Sequence, residues 1–127
     1  MSGDRLTVRL CHLYPDLMNI YADRGNIAVF DRRLAWRGHR LDVTAVSIGD
    51  ALRGEFDLYY LGGGQDRDQD LVAHDLQTKA EHLRAAADGG AAQLYVCGGI
   101  QLAGHGYTAA NGERLPGTGV LDLETTA

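Results

Sequence analysis

Leu94-Tyr95-Val96-Cys97-Gly98-Gly99-Ile100-Gln101, "LYVCGGIQ", is the stretch on which the reading of this chain turns. Strand-forming residues run into a cysteine, and two glycines follow at once. A thiol at a strand-to-helix junction gains three things. The turn lifts its side chain out of the sheet. The first N–H groups of the helix, unpaired and carrying a partial positive charge, face the sulfur and favour its nucleophilic form. The N–H that follows the nucleophile is placed to hold a developing oxyanion. Such an elbow is tight, and side chains around it would collide with neighbouring strands. In the G-x-S-x-G form of the elbow, glycines stand two before and two after the nucleophile. Gly99 fills the second of these places and Tyr95 occupies the first, so Gly98 is expected to relax the turn instead.

Outward from this junction the chain alternates strands and helices. "LTVRLCHL" (Leu6–Leu13) is too densely apolar for a half-exposed sheet and reads as an inner parallel strand. Ile27, Phe30 and Leu34 recur at helical spacing and predict a helix over Asn26–Arg37, stopped by Gly38, with Gly25 left in a preceding turn. "RLDVTAVSI" (Arg40–Ile48) and "EFDLYYLGGG" (Glu55–Gly64) read as the second and third strands. Asp70–Gly90 reads as one long amphipathic helix, Ala92–Val96 as a fourth strand, and Gly98 to about His105 as a further helix. Asn111-Gly112 signals a hairpin. The order predicts an α/β fold with a parallel sheet, and the form expected is flavodoxin-like with helices on both faces.

In such a sheet ligands gather beyond the carboxyl ends of the strands. Cys97, the run Gly62-Gly63-Gly64 and His12 all fall at that edge. The triple glycine leaves backbone amides uncovered, which suits a carbonyl oxygen in transition. It would equally suit a phosphate, although no G-x-x-x-x-G-K-[ST] motif follows. Taken alone, a cysteine at a strand end is most often a small apolar filler, the role assigned here to Cys11, and a lone GGG is usually a turn. Both features on strand ends of one sheet shift the balance toward a nucleophile facing an oxyanion-binding loop.

Composition narrows the classes. The 127 residues are enough for one domain with its own core, and 45% hydrophobic with 23% charged residues is ordinary for a globular protein. A net charge of −5 argues against a nucleic-acid surface. No apolar run approaches the ~20 residues needed to cross a bilayer, and "MSGDRLTVRL" lacks a signal-peptide layout, so a cytoplasmic protein is expected. Two cysteines make no disulfide framework, and no Cys/His set has zinc-ligand spacing.

Several segments also resemble a known family. Cys97-Gly98-Gly99-Ile100-Gln101 is similar to the C-x-G-x-Q nucleophile segment of triad-type, class I glutamine amidotransferases of the CobB/CobQ-like group. "LYPDLMNIYADRGN" (Leu13–Asn26), "LGGGQDRDQ" (Leu61–Gln69), "VCGGIQLAGHGY" (Val96–Tyr107) and "GERLPGTGVLD" (Gly112–Asp122) together resemble its GatD-type members, in the same order and over most of the chain. The resemblance implies the glutaminase subunit of a MurT–GatD lipid II isoglutaminyl synthase. It would hydrolyse glutamine and pass ammonia to a MurT-like Mur ligase, which amidates the D-glutamate of the peptidoglycan stem peptide. On this view Cys97 is the nucleophile, Gly98 and Gly64 donate N–H groups to the oxyanion, and Gln101 and Gly63 line bound glutamine. Asp23 would help orient the site, or simply cap the following helix. No cofactor is expected in this chain; ATP and magnesium would sit on the ligase partner.

A cysteine nucleophile of this kind works with a histidine base. In the family that residue comes far downstream, as does an arginine that grips glutamine, and both would fall beyond Ala127. The chain is therefore expected to be the N-terminal portion of a longer glutaminase domain, inactive alone. Of the local histidines, His105 would lie about 12 Å along a helix from Cys97, too far to bond it. His74 and His82 are expected on a solvated helix face and His39 at the surface, while His12 alone reaches the crevice edge. Two other functions compete: another CobB/CobQ-like amidotransferase, and a non-catalytic flavodoxin-like scaffold that docks a ligase or holds an anion.

Overall fold

The structure, a computed structural model, describes residues 4–19 and 23–127. Four strands, β1 (Thr7–Leu13), β2 (Arg40–Val46), β3 (Leu58–Leu61) and β4 (Ala92–Tyr95), form one sheet in the order β2-β1-β3-β4, every pair parallel. This is the parallel α/β sheet expected of the sequence. Both faces are covered, which is why the second half of β1, Leu10–Leu13, is buried at every residue. Leu10 and Tyr60 point to one side, where Ile27, Phe30 and Leu34 of α1 (Asp23–Trp36) pack on them. Cys11, Leu13, Tyr59 and Leu61 point to the other, against Val72, Leu76, Leu83 and Leu102. Those four belong to α2 (Asp66–Gln77), α3 (Ala80–Asp88) and α4 (Gly98–Ala103).

Three elements differ from expectation. α1 starts at Asp23 and runs through Gly25, whose missing side chain faces open space. The cost of about 1 kcal/mol for a helical glycine is outweighed by packing further along. Gly38, at φ 79°, stops α1 as expected, with the His39 N–H reaching back to the Leu34 carbonyl at 2.8 Å. The long helix over Asp70–Gly90 is two helices. At the break the Thr78 hydroxyl donates to the Asp75 carbonyl at 2.6 Å, and Lys79 turns its side chain inward to Asp75. β3 is shorter at both ends than the sequence indicated.

A second, small sheet contains the hairpin that the sequence signalled and adds a strand, Glu124–Thr126, that it did not. β5 (Gly106–Thr108) pairs antiparallel with β6 (Arg114–Pro116) around the expected Asn111-Gly112 turn, and parallel with β7 (Glu124–Thr126). The Asn111 side chain accepts from the Glu113 N–H at 2.9 Å, and Gly112 takes φ 85°. Three-residue strands as polar as Glu124–Thr126 carry no periodicity that a sequence pattern could reveal. The connection between β6 and β7 braces α4, because Thr118 and Leu121 N–H groups bond the Leu102 and Ala103 carbonyls and close its last turn. A six-residue helix has little stability of its own and needs such support.

Candidate functional site

β4 delivers the chain to the end of β3. The Val96 N–H bonds the Leu61 carbonyl at 2.9 Å, and the next residue, Cys97, takes φ 52° and ψ −116°. Apart from Tyr14, it is the one non-glycine residue with positive φ among the described residues. A side-chain-bearing residue in this region costs on the order of 1–3 kcal/mol, so the surroundings must impose it. α4 begins at once, with the Gly99 N–H bonded to the Val96 carbonyl at 2.9 Å and the Ile100 N–H to the Cys97 carbonyl at 3.0 Å. The thiol projects into solvent, while Gly98 and Gly99 behind it are buried.

The geometry explains the glycines, and corrects one expectation. The elbow pattern makes Gly98 the residue that relaxes the turn, yet positive φ falls on Cys97 itself and not on Gly98. Gly98 is needed for space: a β-carbon there would lie 2.9 Å from Cδ and Oε1 of Gln69. At Gly99 a β-carbon would meet the Leu61 carbonyl oxygen at 2.5 Å and that of Gly62 at 3.1 Å. The elbow thus rests directly on the start of the triple-glycine loop. Gly64, at the far end of that loop, is wedged against Met18 Sδ (2.6 Å to a built β-carbon) and the Leu17 carbonyl (2.8 Å). Tyr95, where the elbow pattern has glycine, turns its ring onto the core and its hydroxyl to Gln93, and burial pushes its phenol up.

The structure therefore brings Cys97, Gly98, Gly99 and the 62–64 loop to one edge. Gln101, one turn into α4, is half-buried and its Oε1 accepts from Nε2 of Gln69 at 2.8 Å. Asp23 opens α1, but its side chain lies outside the described residues. Gln69 is the residue that sequence reasoning missed, although the signal was present. It precedes Val72, Ala73 and Leu76 by three, four and seven residues, which puts a polar side chain on the buried stripe of α2.

The local histidines stand elsewhere. His12, buried on β1, packs edge-to-face on Tyr60 with 5.5 Å between ring centroids, and β3 intervenes between β1 and β4. Two strand spacings put it roughly 10 Å from the column of Cys97. His105 faces Asp122 at 2.8 Å, and His74 is exposed beside Asp70. His82 departs from the expected solvated face: it is half-buried and shares a 2.8 Å hydrogen bond with the Tyr59 hydroxyl. His39 is also half-buried, accepting the Leu6 N–H at 3.1 Å.

Two hollows frame the sheet. One of about 350 Å³ opens beyond the carboxyl ends of β1 and β3, between Asp16, Asn19, Arg24, Gln65 and Asp68. A larger one, about 580 Å³, lies among Arg9, Asp57, Tyr59 and His82 near the opposite ends of the strands. Size does not make the larger hollow the site, because parallel sheets gather ligands at the carboxyl edge, where the strained cysteine also stands.

Comparison with known proteins gives the family. Residues 9–127 match the family model of the CobB/CobQ-like glutamine amidotransferase domain. The chain is 36% identical over 115 residues to the GatD subunit of lipid II isoglutaminyl synthase (glutamine-hydrolyzing) from Streptococcus pneumoniae. It is 33% identical over 115 residues to the subunit of the same name from Staphylococcus aureus. Each alignment covers 90% of this chain but only 44% and 47% of the respective relative, so the chain spans somewhat under half the length of these relatives.

Proposed function

The chain belongs to the CobB/CobQ-like glutamine amidotransferase family, and from that premise we propose that it carries the nucleophile half of the glutaminase subunit of a lipid II isoglutaminyl synthase. The observation that carries the reading is Cys97: an exposed thiol on a backbone held at φ 52°, ψ −116°, at the mouth of a parallel sheet. A strained residue that presents its side chain to solvent beside a glycine loop fits a nucleophile better than a packing element.

In this reading Cys97 Sγ adds to the side-chain carboxamide carbon of glutamine. The carbonyl oxygen becomes an oxyanion held by N–H groups of Gly98, at the first position of α4, and of the 62–64 loop, with Gly64 the assigned donor and Gly63 beside the substrate. The C–N bond breaks, ammonia leaves with a proton from a histidine, and water then cleaves the glutamyl thioester to glutamate and free thiol. Gln101 contacts the bound glutamine. The histidine and a glutamine-gripping arginine are assigned to sequence beyond residue 127, in the part of the relatives that this chain does not span. Ammonia passes to a MurT-like ligase in the cytoplasm, whose ATP and magnesium drive amidation of the stem-peptide D-glutamate. Asp23, at the start of α1, is assigned a part in orienting the site.

The test is ammonia release from glutamine by the full-length protein with its ligase. Cys97→Ala is expected to abolish it, and residues 1–127 alone are expected to give none. Undiminished release from Cys97→Ala would overturn the assignment, and steady turnover by residues 1–127 would overturn the downstream base.

A further inference from the structure

Gln69 has no role in the reaction just described, yet it is the polar side chain most tightly built into the site. It is 5% exposed, lies on α2, and meets α4 at two points. Its Nε2 donates to Gln101 Oε1 at 2.8 Å, and its carboxamide fills the space that a β-carbon on Gly98 would need. A buried amide is retained against the apolar alternatives at such a position only when its bonds matter, since an unpaired one is costly. The stripe below it, Val72, Ala73 and Leu76, shows that the helix needs no polar group there for packing.

We propose that Gln69 is a positioning residue: by taking the oxygen of Gln101 it turns the Gln101 amide nitrogen toward the ligand, and by packing on Gly98 it fixes the N–H that follows Cys97. A side-chain amide can offer either end to a ligand, and the partner at the other end decides which. With its oxygen bound to Gln69, Gln101 offers N–H groups, the complement of a carboxylate or carboxamide oxygen. Glutamine carries both. The inference rests on the glutaminase reading and deepens it, since it assigns the recognition of substrate acceptor groups to a pair of side chains from two helices.

The experiment uses two probes of Cys97 on the full-length protein. Iodoacetamide reports access to the thiol alone, and the glutamine-analogue electrophile 6-diazo-5-oxo-L-norleucine reports binding as well. Gln69→Met keeps the length and removes the donor. It is expected to leave iodoacetamide labelling of Cys97 within about twofold and to raise the analogue concentration for half-maximal rate about tenfold, the worth of one buried hydrogen bond. Gln101→Met should do the same, and the double variant should be no worse than Gln101→Met alone, because methionine at 69 keeps the packing on Gly98 and the lost hydrogen bond acts only through Gln101.

Labelling of the unaltered protein and of Gln69→Met with equal concentration dependence would overturn the proposal, as would two independent, additive losses. Failure of the analogue to label even the unaltered protein would instead remove the glutaminase reading. Cys11, buried on β1, is the internal control for folding, since it stays unmodified in an intact chain. Should Gln69→Met unmask it, Gln69→Asn withdraws the amide by one methylene while keeping it polar, and the same tenfold loss is expected.

Discussion

Two strands of the parallel sheet are each followed by a non-glycine residue at positive φ, and the two are put to opposite uses. Just past β1, Tyr14 has φ 52°; just past β4, Cys97 also has φ 52°. Tyr14 is 1% exposed. Its hydroxyl donates to Asp75 Oδ2 at 2.5 Å, its N–H bonds the Val46 carbonyl at 2.7 Å, and the Lys79 ammonium lies 5.1 Å from the ring centroid. The strain at Tyr14 is therefore offset by contacts of its own side chain. At Cys97 the side chain is in solvent, and the distortion is imposed by neighbours: the end of β3 under Gly99, Gln69 beside Gly98, and the 117–121 segment closing α4. Strain that its own residue offsets fastens a loop. Strain imposed from outside, on a side chain left in solvent, presents that residue to a ligand.

The largest test of this contrast is at the sealed end. Tyr14→Gly would relieve the backbone but remove a buried ring and leave Asp75 and Lys79 without their third partner. Burial works to raise the Asp75 carboxyl, and the bonds from Lys79, Tyr14 and the Gly49 N–H outweigh it and hold the group below the usual carboxylate range. Losing the ring from such a site is expected to cost about 4 kcal/mol, read as a fall in the denaturant midpoint of the protein. A gain in stability would mean that strain, not packing, dominates at β1 and would break the contrast.

That network also shows where the sequence is silent. The four strands of a parallel sheet, the inner position of β1 and the cysteine at the end of β4 follow from apolar periodicity and punctuation, and all are present. The break after Gln77 does not follow from periodicity. Lys79 sits on the stripe between Leu76 and Leu83, a place where a lysine normally argues for a surface turn of an unbroken helix. Asp75, together with the Tyr14 ring and the Ser47 carbonyl brought from other parts of the chain, makes its burial tolerable. Gln69 was likewise readable as a polar residue on a buried face, but its partner on α4 was not. Such pairings depend on tertiary approach, which local pattern does not encode.

The two thiols carry the contrast into chemistry. Cys11 is buried in mid-strand, and burial pushes its thiol up to about 12, with the Lys79 charge acting weakly in the other direction. Cys97 is exposed. Under native conditions near pH 8, iodoacetamide is expected to label Cys97 at least about 100-fold faster than Cys11, which reacts only through opening of the sheet. Mass mapping of the modified peptides measures the ratio. The unfolded thiol ionises near 9.0 and the folded one near 12. The neutral form is thus favoured by the fold, and stability is intact below pH 9 and declines as pH rises toward 12. Tyr14, its phenol raised by burial and by the Asp75 bond, acts with the same sign. Cys11→Ala should flatten part of that alkaline decline, measured as the denaturant midpoint between pH 8 and pH 11.

The smallest effect is the most diagnostic, because its sign is opposite to that at Tyr14. Cys97→Gly removes an exposed side chain and relieves a backbone strain of about 1–3 kcal/mol, while the extra freedom of glycine in the unfolded chain returns about 0.5–1 kcal/mol. A net gain of about 1 kcal/mol is expected, seen as a higher denaturant midpoint. Cys97→Ala keeps the β-carbon and so keeps the strain, and it should shift the midpoint by no more than about 0.5 kcal/mol. The difference between the two variants isolates the backbone from the lost sulfur. If glycine and alanine prove equivalent, the distortion at Cys97 carries no energy and the elbow is an ordinary turn. If glycine alone stabilises, the fold is giving up stability to hold a thiol in the open, as expected where a residue is kept for chemistry rather than for packing.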